Sequence, residues 1–471
     1  MKSALALVAL ASAMAMMLVH CAAHDDAVTP LDAAETDAVA EDADARTDAG
    51  HDADAPDAAA RDQFELPDGS VTCEVSPCAV ALVNGSGAFC ALLSDKTVQC
   101  WGLNVNQMLG YATSGLPWST APRRLALSNI VDVHMSSTNA CALDESGSVF
   151  CWGAQDLVNA GMDPDASAPL TAPALPTRQD LVPQASALAV GSSTACVTTK
   201  TGSMSCWGKN EFGQLARKTT TPFAPPSEIQ IPGKKPLTPW ASGVAMFATT
   251  ADGDLFSWGS SICPPTSTPC SYLIGRESSE PIDYVPTVVR SLSNVRFVAT
   301  DGLPASVTHM CAIAGRYVWC WGDNTQGQLG TGYATNNSQL PVRTILSDVV
   351  DADDVAAGNP KGADVPMRLV SDGQQITCAI MSSSRVYCWG PFGGDGSIYG
   401  RPRKMKDSTL AHLDSAPSDV VSIASVGATA CALRRSGEVD CWGSNNVGFL
   451  GRGNEDVSFS DPQPAPVEFA Q

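Results

Sequence analysis

Basic residues are scarce in this sequence. Its 28 lysines and arginines stand against 49 aspartates and glutamates, which gives a formal net charge of −21. Because a phosphate backbone attracts cations and repels carboxylates, this balance disfavours non-specific binding to nucleic acid. Charged residues make up 16% of the 471 residues and aromatic residues 6%. The chain is therefore unlike one built from long charged helices, and few large rings are available for its core.

Histidines and catalytic motifs are also sparse. Three of the six histidines precede residue 52, and the other three, His134, His309 and His412, are far apart in the sequence. A nucleophile elbow, a phosphate-binding loop and a metal-binding helix motif are all absent from the sequence. We therefore expect no catalytic residues, no cofactor and no bound metal. An enzyme whose site is assembled from several loops remains the alternative.

Long hydrophobic runs are limited to the N-terminus. Residues 4–19 form an uncharged apolar stretch that is short for a membrane span and typical of a signal peptide. The stretch ends in Leu18-Val19-His20-Cys21, which resembles a bacterial lipobox, whose cysteine is diacylated and becomes the first mature residue. We predict a signal peptide over residues 1–20 and lipidation at Cys21, with ordinary signal cleavage as the alternative. Either way we expect export, to the cell envelope through a lipid anchor at the outer membrane or into the medium.

The next segment, residues 21–72, is rich in aspartate and alanine. Residues 24–66 hold 14 carboxylates, two arginines and a single aromatic residue, Phe64. Such a composition cannot bury enough apolar surface to offset the conformational entropy of the chain. We predict a disordered acidic tether that holds a folded domain, residues 73–471, away from a membrane surface.

Glycine, proline and cysteine are abundant, with 39, 32 and 17 residues. Seventeen cysteines are too many for an ordinary cytosolic protein, in which thiols stay reduced. From Cys73 onward the chain repeats itself, because the dipeptide Trp-Gly recurs seven times at intervals of 51 to 68 residues. Repetition at this period indicates supersecondary units that bury their faces on one another. The seven tryptophans are Trp101, Trp152, Trp207, Trp258, Trp321, Trp389 and Trp442.

Each repeat predicts a β-hairpin that ends in Trp-Gly. In the second repeat, a three-residue loop with Gly147 in the left-handed conformation places Cys141 directly opposite Cys151. The same count opposes a cysteine pair in the first, third, sixth and seventh repeats, whereas in the fourth Phe247 and Ser257 occupy both positions. In the fifth repeat the spacing is shorter by one residue, and a two-residue Gly315-Arg316 turn preserves the pairing.

This pattern predicts disulfide bonds within hairpins. Loss of both cysteines together in the fourth repeat supports pairing, because loss of one would leave an unpaired thiol. A zinc site fits poorly, since the spacing matches no common zinc motif and the required histidines are missing. Eight pairs and Cys21 account for all seventeen cysteines. The predicted pairs are Cys90–Cys100, Cys141–Cys151, Cys196–Cys206, Cys311–Cys320, Cys378–Cys388, Cys431–Cys441, Cys73–Cys78 and Cys263–Cys270.

Alternation along the hairpin predicts a sheet with two apolar faces. In the second repeat, Cys141, Leu143, Val149 and Cys151 lie on one face, and the other face carries Trp152 with its neighbours. Sheets covered on both faces are typical of radially stacked blades. The sequence therefore predicts an all-β propeller.

The residues after Trp-Gly resemble the repeats of the regulator of chromosome condensation family. That family follows Trp-Gly with Asn-x-x-Gly-Gln-Leu-Gly, and here NVNQMLG (104–110), NEFGQL (210–215), NTQGQLG (324–330) and NNVGFLG (445–451) match it. The resemblance covers residues 73–471 and implies a seven-bladed β-propeller of four-stranded blades. The resemblance also implies one of the functions of that family, which are nucleotide exchange, chromatin binding and, in a secreted bacterial member, inhibition of an enzyme. The expected export and the acidity of this chain disfavour the first two functions.

Two further expectations concern assembly and binding. We expect the C-terminal strand, residues 464–469, to complete the first blade and so close the ring. We expect long loops at 162–183, 216–239, 260–291 and 391–417, where recognition by a rigid scaffold usually resides. The last of these holds a basic cluster, Arg401, Arg403, Lys404 and Lys406, which is either a surface for an anionic partner or a solvated loop. We therefore predict a monomeric scaffold that binds an unidentified protein or glycan at the cell envelope, does not bind nucleic acid and is not an enzyme. An extracellular enzyme acting on a polymer is the alternative.

Overall fold

The described part of the chain is almost entirely β-sheet. The structure is a computed structural model and describes residues 71–113, 115–162, 174–219, 221–233, 235–261, 273–299, 309–334, 337–357, 361–362, 364–371, 377–390, 403–404, 417, 419–426, 429–453 and 460–470. The predicted signal peptide, Cys21, the acidic tether up to residue 70 and the Cys263–Cys270 pair lie outside these ranges. Neither of the two α-helices described has the length and hydrophobicity needed to span a bilayer.

Seven antiparallel sheets of four strands each form the blades of a propeller, which confirms the predicted fold. Every blade uses four strands that are consecutive in the chain, with the innermost strand first and the outermost strand last. Blades 1 to 3 comprise β1 (Ala79–Asn84), β2 (Ala88–Leu93), β3 (Val98–Leu103) and β4 (Trp118–Arg124); β5 (Ile130–Met135), β6 (Asn139–Asp144), β7 (Val149–Gly153) and β8 (Ala174–Arg178); and β9 (Ala185–Val190), β10 (Thr194–Thr199), β11 (Met204–Lys209) and β12 (Phe223–Ile229).

The remaining four blades follow the same plan. They comprise β13 (Pro236–Ala241), β14 (Ala245–Thr250), β15 (Leu255–Ser260) and β16 (Ile282–Val288); β17 (Val295–Ala299), β18 (His309–Ala314), β19 (Tyr317–Gly322) and β20 (Ser338–Arg343); β21 (Pro366–Ser371), β22 (Thr377–Met381), β23 (Val386–Trp389) and β24 (Arg403–Lys404); and β25 (Val420–Val426), β26 (Thr429–Arg434), β27 (Val439–Ser444) and β28 (Ser460–Pro466). Helix α1 (Gln155–Ala160) follows β7, and helix α2 (Leu346–Ala356) follows β20.

The predicted hairpin register is confirmed. Cys141 lies opposite Cys151 and Leu143 opposite Val149, while Gly147 in the turn has a φ of 94°. In the fifth blade Ala314 pairs with Tyr317 across the two-residue turn, in which Gly315 has a φ of 58°.

The prediction that the C-terminal strand completes the first blade is wrong. Strand β28 pairs with β27 in blade 7, and blade 1 obtains its outer strand, β4, from the residues that follow its own hairpin. Because each blade is complete within itself, no strand has to be exchanged to close the ring.

The contact between blades 1 and 7 instead combines apolar packing with a few hydrogen bonds. Trp101 packs with Phe469 and Leu450, and its Nε1 donates to the carbonyl oxygen of Phe449 at 3.0 Å. The side chain of Gln99 both donates to the backbone oxygen of Ala470 at 2.6 Å and accepts from its amide at 3.0 Å.

The predicted long loops contain strands. Strands β8, β12, β16 and β24 lie within the segments 162–183, 216–239, 260–291 and 391–417, and β13 begins within the second of them. Outer strands such as β12, with sequence FAPPSEI, carry prolines and polar residues because one edge of an outer strand needs no hydrogen-bonding partner.

Neighbouring blades pack by one repeated contact. The face of each blade that carries the cysteine pair lies against the tryptophan of the Trp-Gly dipeptide in the following blade. For example, Cys141 and Cys151 of blade 2 pack with Trp207 of blade 3. In blade 4, Phe247 takes the place of the cysteines and contacts Trp321 of blade 5, with ring centroids 5.9 Å apart. All seven tryptophans are fully buried.

The Asn-x-x-Gly-Gln-Leu-Gly segment links one blade to the next. In blade 5 the Asn324 side chain accepts a hydrogen bond from the Leu329 amide at 3.0 Å, which holds the loop in a tight turn. The carbonyl oxygen of Gln328 then accepts from Nε1 of Trp389 in blade 6 at 2.9 Å. A Cβ on Gly330 would lie 2.9 Å from the ring of Trp389, so only glycine permits this approach.

Candidate binding site in the central channel

The seven innermost strands line a channel along the propeller axis. Alternate residues of each strand face the channel, and most of them are small, such as Ala81, Val83, Ala189 and Ser422. The channel contains a cavity of about 190 Å³ between these strands. Small residues alone would be enough to line a channel of this fold, so the large and charged residues found in it call for a separate explanation.

Five large residues from four blades interrupt this lining. Asp132, Phe297 and Arg368 occupy the same register position of β5, β17 and β21, as shown by their pairing with the second strands. His134 and Trp240 occupy the next level of the channel, on β5 and β13. The channel thus brings together a guanidinium, an imidazole, a carboxylate and two aromatic rings.

Asp132 and His134 form an ion pair within one strand. Nε2 of His134 lies 3.1 Å from Oδ2 of Asp132, and each side chain is 39% exposed, to the channel. Burial opposes the charged form of both groups, but the opposite charge and the hydrogen bond outweigh it. The pKa of His134 is therefore raised and the pKa of Asp132 lowered, which favours the charged pair.

Arg368 and the aromatic rings lie next to this pair. The guanidinium of Arg368 stacks 5.9 Å from the ring centroid of Phe297, which in turn contacts Trp240 edge to face at 4.9 Å. Burial lowers the pKa of Arg368, and the charge of Asp132 only partly opposes this effect. Arg368 is thus a half-buried cation beside an aromatic ring.

The six hairpin cysteine pairs lie away from the channel, at the interfaces between blades. The sulfur atoms of seven pairs lie at bonding distance, with Cα atoms 4.0–4.1 Å apart in the hairpins and 5.4 Å apart in Cys73–Cys78. Formation of these bonds in the cell stays a prediction. Within the described residues, no group of three or more cysteine, histidine, aspartate or glutamate side chains has an arrangement able to hold a metal ion.

The predicted basic cluster is only partly described. Arg403 and Lys404 form the short outer strand β24 and pair with Cys388 and Tyr387, so these two residues belong to a strand and not to a loop. Arg401 and Lys406 lie outside the described residues. The anionic-partner interpretation of this cluster remains a prediction.

The channel residues were not found from the sequence. Strand β5 has the sequence IVDVHM, in which Asp132 and His134 interrupt an otherwise apolar inner strand at alternating positions. This interruption was the available signal. Arg368 lies 236 positions further along the chain, and no local pattern connects it with Asp132.

An exposed tyrosine lies in the hydrogen-bonded segment that follows β19. Tyr333 is 62% exposed, although its backbone oxygen accepts hydrogen bonds from Asn324 Nδ2 at 3.3 Å and Thr331 Oγ1 at 3.2 Å. The backbone of this residue is therefore held in place while its ring projects into solvent.

Comparison with family models identifies repeats in this chain. Residues 185–214, 420–448 and 317–360 match models of the regulator of chromosome condensation (RCC1) repeat. The matched segments lie in blades 3, 7 and 5, and each includes all or part of the Asn-containing loop described above.

Three curated proteins match parts of this chain in sequence. The chain is 25% identical over 253 residues to the human E3 ubiquitin-protein ligase HERC2, covering 52% of this chain and 5% of HERC2. It is 31% identical over 180 residues to the ultraviolet-B receptor UVR8 of Arabidopsis thaliana, covering 37% of this chain and 40% of UVR8. The match to the mouse secretion-regulating guanine nucleotide exchange factor is 27% over 225 residues, covering 44% and 47%. The chain thus spans less than half the length of each of these relatives.

Solved structures show the same fold. Human WBSCR16 superposes with a TM-score of 0.58 at 19% identity, covering 75% of this chain and 86% of that one. Yeast RCC1 (Prp20), solved in complex with Kap60, superposes with a TM-score of 0.57 at 15% identity, covering 85% and 88%. This protein is therefore a seven-bladed β-propeller in which three segments match the RCC1 repeat.

Proposed function

We propose that this protein is an exported propeller that binds a protein or glycan partner at the cell envelope and performs no catalysis of its own. The binding role is supported by two relatives that are named as a receptor and as a guanine nucleotide exchange factor, and by yeast Prp20, described with binding to Gsp1p and histones. These partners belong to those proteins, and only the general role of an interaction scaffold is carried over here.

Export is supported by the cysteine arrangement. Cysteines of the six hairpin pairs are almost fully buried, at most 2% exposed, and oppose each other in hairpins. Such pairs persist in oxidising compartments and are uncommon in cytosolic proteins. The N-terminal apolar stretch and Cys21 are consistent with the same destination.

The observation that carries the binding role is the exposed ring of Tyr333 on its hydrogen-bonded loop. Tyrosine is enriched among the residues that dominate binding energy at interfaces. A ring whose backbone is already held in place loses less conformational entropy on binding than one on a mobile loop. The enzyme alternative is less well supported, because the ion pair of Asp132 and His134 lies inside a channel that a polymer would have to enter.

Lipidation tests the export step. Metabolic labelling with a lipid precursor should tag the wild-type protein, and the substitution Cys21→Ser should abolish the tag. Mass spectrometry of the mature N-terminus is the second measurement. An unlabelled wild type whose N-terminus begins after Cys21 would contradict lipidation and leave export by ordinary cleavage.

Site-specific crosslinking tests the binding step. A photoreactive amino acid at position 333 of the full-length chain should give an adduct in intact source cells on illumination. The matched control is position 285 on the outer strand β16, where Val285 is 59% exposed and not aromatic. Protease and glycosidase treatment of the adduct would then distinguish a protein from a glycan partner. Equal adducts at both positions, or none at 333, would contradict a specific interface at Tyr333.

A further inference from the structure

The channel cavity combines an apolar wall with a cation. Trp240 and Phe297 form an aromatic corner, and Arg368 stacks on Phe297 at the same level of the channel. The cavity volume is about 190 Å³. For comparison, an engineered apolar cavity of about 150 Å³ is large enough for benzene. This cavity therefore has room for a single aromatic ring with one small substituent.

Arg368 supplies a donor group that the described residues leave unused. Among these residues, none accepts a hydrogen bond from its guanidinium, and its nearby charge partner, Asp132, is engaged by His134 at 3.1 Å. A guanidinium presents a rigid fork of N–H donors that matches a carboxylate in a bidentate arrangement. Arg368 is half-buried, so a cation with open donors at this position is stabilised when an acceptor reaches it.

The charges of the channel residues indicate which ligand charge would neutralise the channel. With His134 protonated, the Asp132–His134 pair is neutral, and Arg368 leaves a net charge of one positive unit. A ligand with one negative charge neutralises the channel, whereas a dianion would introduce a new buried charge and a neutral ring would leave Arg368 uncompensated.

We propose that the central channel binds a small aromatic monocarboxylate, with the carboxylate on Arg368 and the ring against Trp240 and Phe297. This site is distinct from the Tyr333 loop, so that the two proposals can fail separately. The ring contributes apolar burial, and the bidentate ion pair fixes the orientation of the ligand within the channel.

Benzoate is the probe that tests this site. Saturation-transfer NMR and calorimetry on the full mature chain should detect benzoate, with an affinity at least tenfold higher than that of acetate, which has no ring, or of benzyl alcohol, which has no charge. Arg368→Gln should weaken benzoate at least tenfold. Arg178→Gln is the matched control, because that arginine lies on the outer strand β8 with a 64% exposed side chain, and it should leave binding unchanged.

Two further variants keep the test informative if Arg368→Gln does not fold. Arg368→Lys retains the charge but loses the planar fork, so that it should bind benzoate more weakly than the wild type while still preferring it to benzyl alcohol. Trp240→Leu should weaken benzoate several-fold and leave acetate unaffected. The proposal is overturned if the wild-type protein binds benzyl alcohol as tightly as benzoate, or if millimolar benzoate gives no signal. It is also overturned if neither Arg368→Gln nor Arg368→Lys changes the affinity for benzoate.

Discussion

Reduction of the cysteine pairs should unfold the propeller under conditions in which the oxidised protein is stable. Each hairpin pair would close a loop of about 11 residues, since the two cysteines are 9 or 10 positions apart. By loop-closure entropy such a crosslink contributes roughly 2–3 kcal/mol. Six of them together approach or exceed the total free energy of unfolding of a typical domain, about 5–15 kcal/mol. The folded state should therefore depend on the oxidised cysteines.

The measurement compares thermal unfolding of oxidised and fully reduced protein. The hairpin cysteines are almost completely buried, so that complete reduction requires a moderate denaturant, followed by its removal and by thiol labelling to verify the result. Peptide mapping of the oxidised protein without reductant should recover Cys141 with Cys151 and its five counterparts, each within one hairpin. Removing one pair, as in Cys141→Ala with Cys151→Ala, should lower stability by a fraction of the full effect.

Two outcomes would contradict this prediction. An unchanged melting temperature after verified reduction would show that blade packing alone stabilises the ring. Bonds between cysteines of different blades would show that the hairpin register in the oxidised protein differs from the one described.

The hairpins were predictable because their determinants are local. The turn glycine, the opposed cysteines and Trp-Gly lie within 13 residues in the second repeat, so that counting positions is enough to establish that Cys141 faces Cys151. The outer strands were not predictable in the same way. Strand β12, with two adjacent prolines, has the composition of a loop and becomes a strand because β11 offers it an edge.

Ring closure and the channel site depend on distant contacts. The expectation for residues 464–469 assumed that the first blade lacked an outer strand, whereas β4 fills that position. The channel cluster requires knowledge of which face of each inner strand points to the axis, and Asp132, Trp240, Phe297 and Arg368 come from four different blades. Sequence periodicity identifies the strands but not which residues meet across the channel.

The second large effect is expected at the interface of blades 4 and 5, where Phe247→Ala should destabilise the protein by about 3–5 kcal/mol. Phe247 is fully buried and packs on Trp321, as the cysteine pairs do at the other six interfaces. This interface has no disulfide in its hairpin, so that the aromatic contact has no covalent support. Denaturant unfolding monitored by tryptophan fluorescence measures the change, and Leu237→Ala, at a 56% exposed site, is the control expected within about 0.5 kcal/mol of wild type.

Restoring the cysteines at this interface should recover only part of the loss. Phe247 and Ser257 lie directly opposite each other, at the register that the pairs occupy elsewhere, so that the double variant Phe247→Cys with Ser257→Cys can form a disulfide. However, Oγ of Ser257 accepts a hydrogen bond from Nε of Arg276 at 3.1 Å, and this buried arginine also pairs with Asp283 at 2.9 Å. Loss of the hydroxyl leaves one donor of Arg276 without its acceptor, at a cost of about 1–3 kcal/mol.

The double cysteine variant should therefore be more stable when oxidised than when reduced, and remain less stable than the wild type in both states. Its matched reference is Phe247→Ala with Ser257→Ala, which removes the ring and the hydroxyl without adding a crosslink. If the oxidised double cysteine variant equals or exceeds the wild type, then the bond between Ser257 and Arg276 contributes little. Phe247 would then be an ordinary replacement for a disulfide, and not one partner in a coupled arrangement that also includes Arg276.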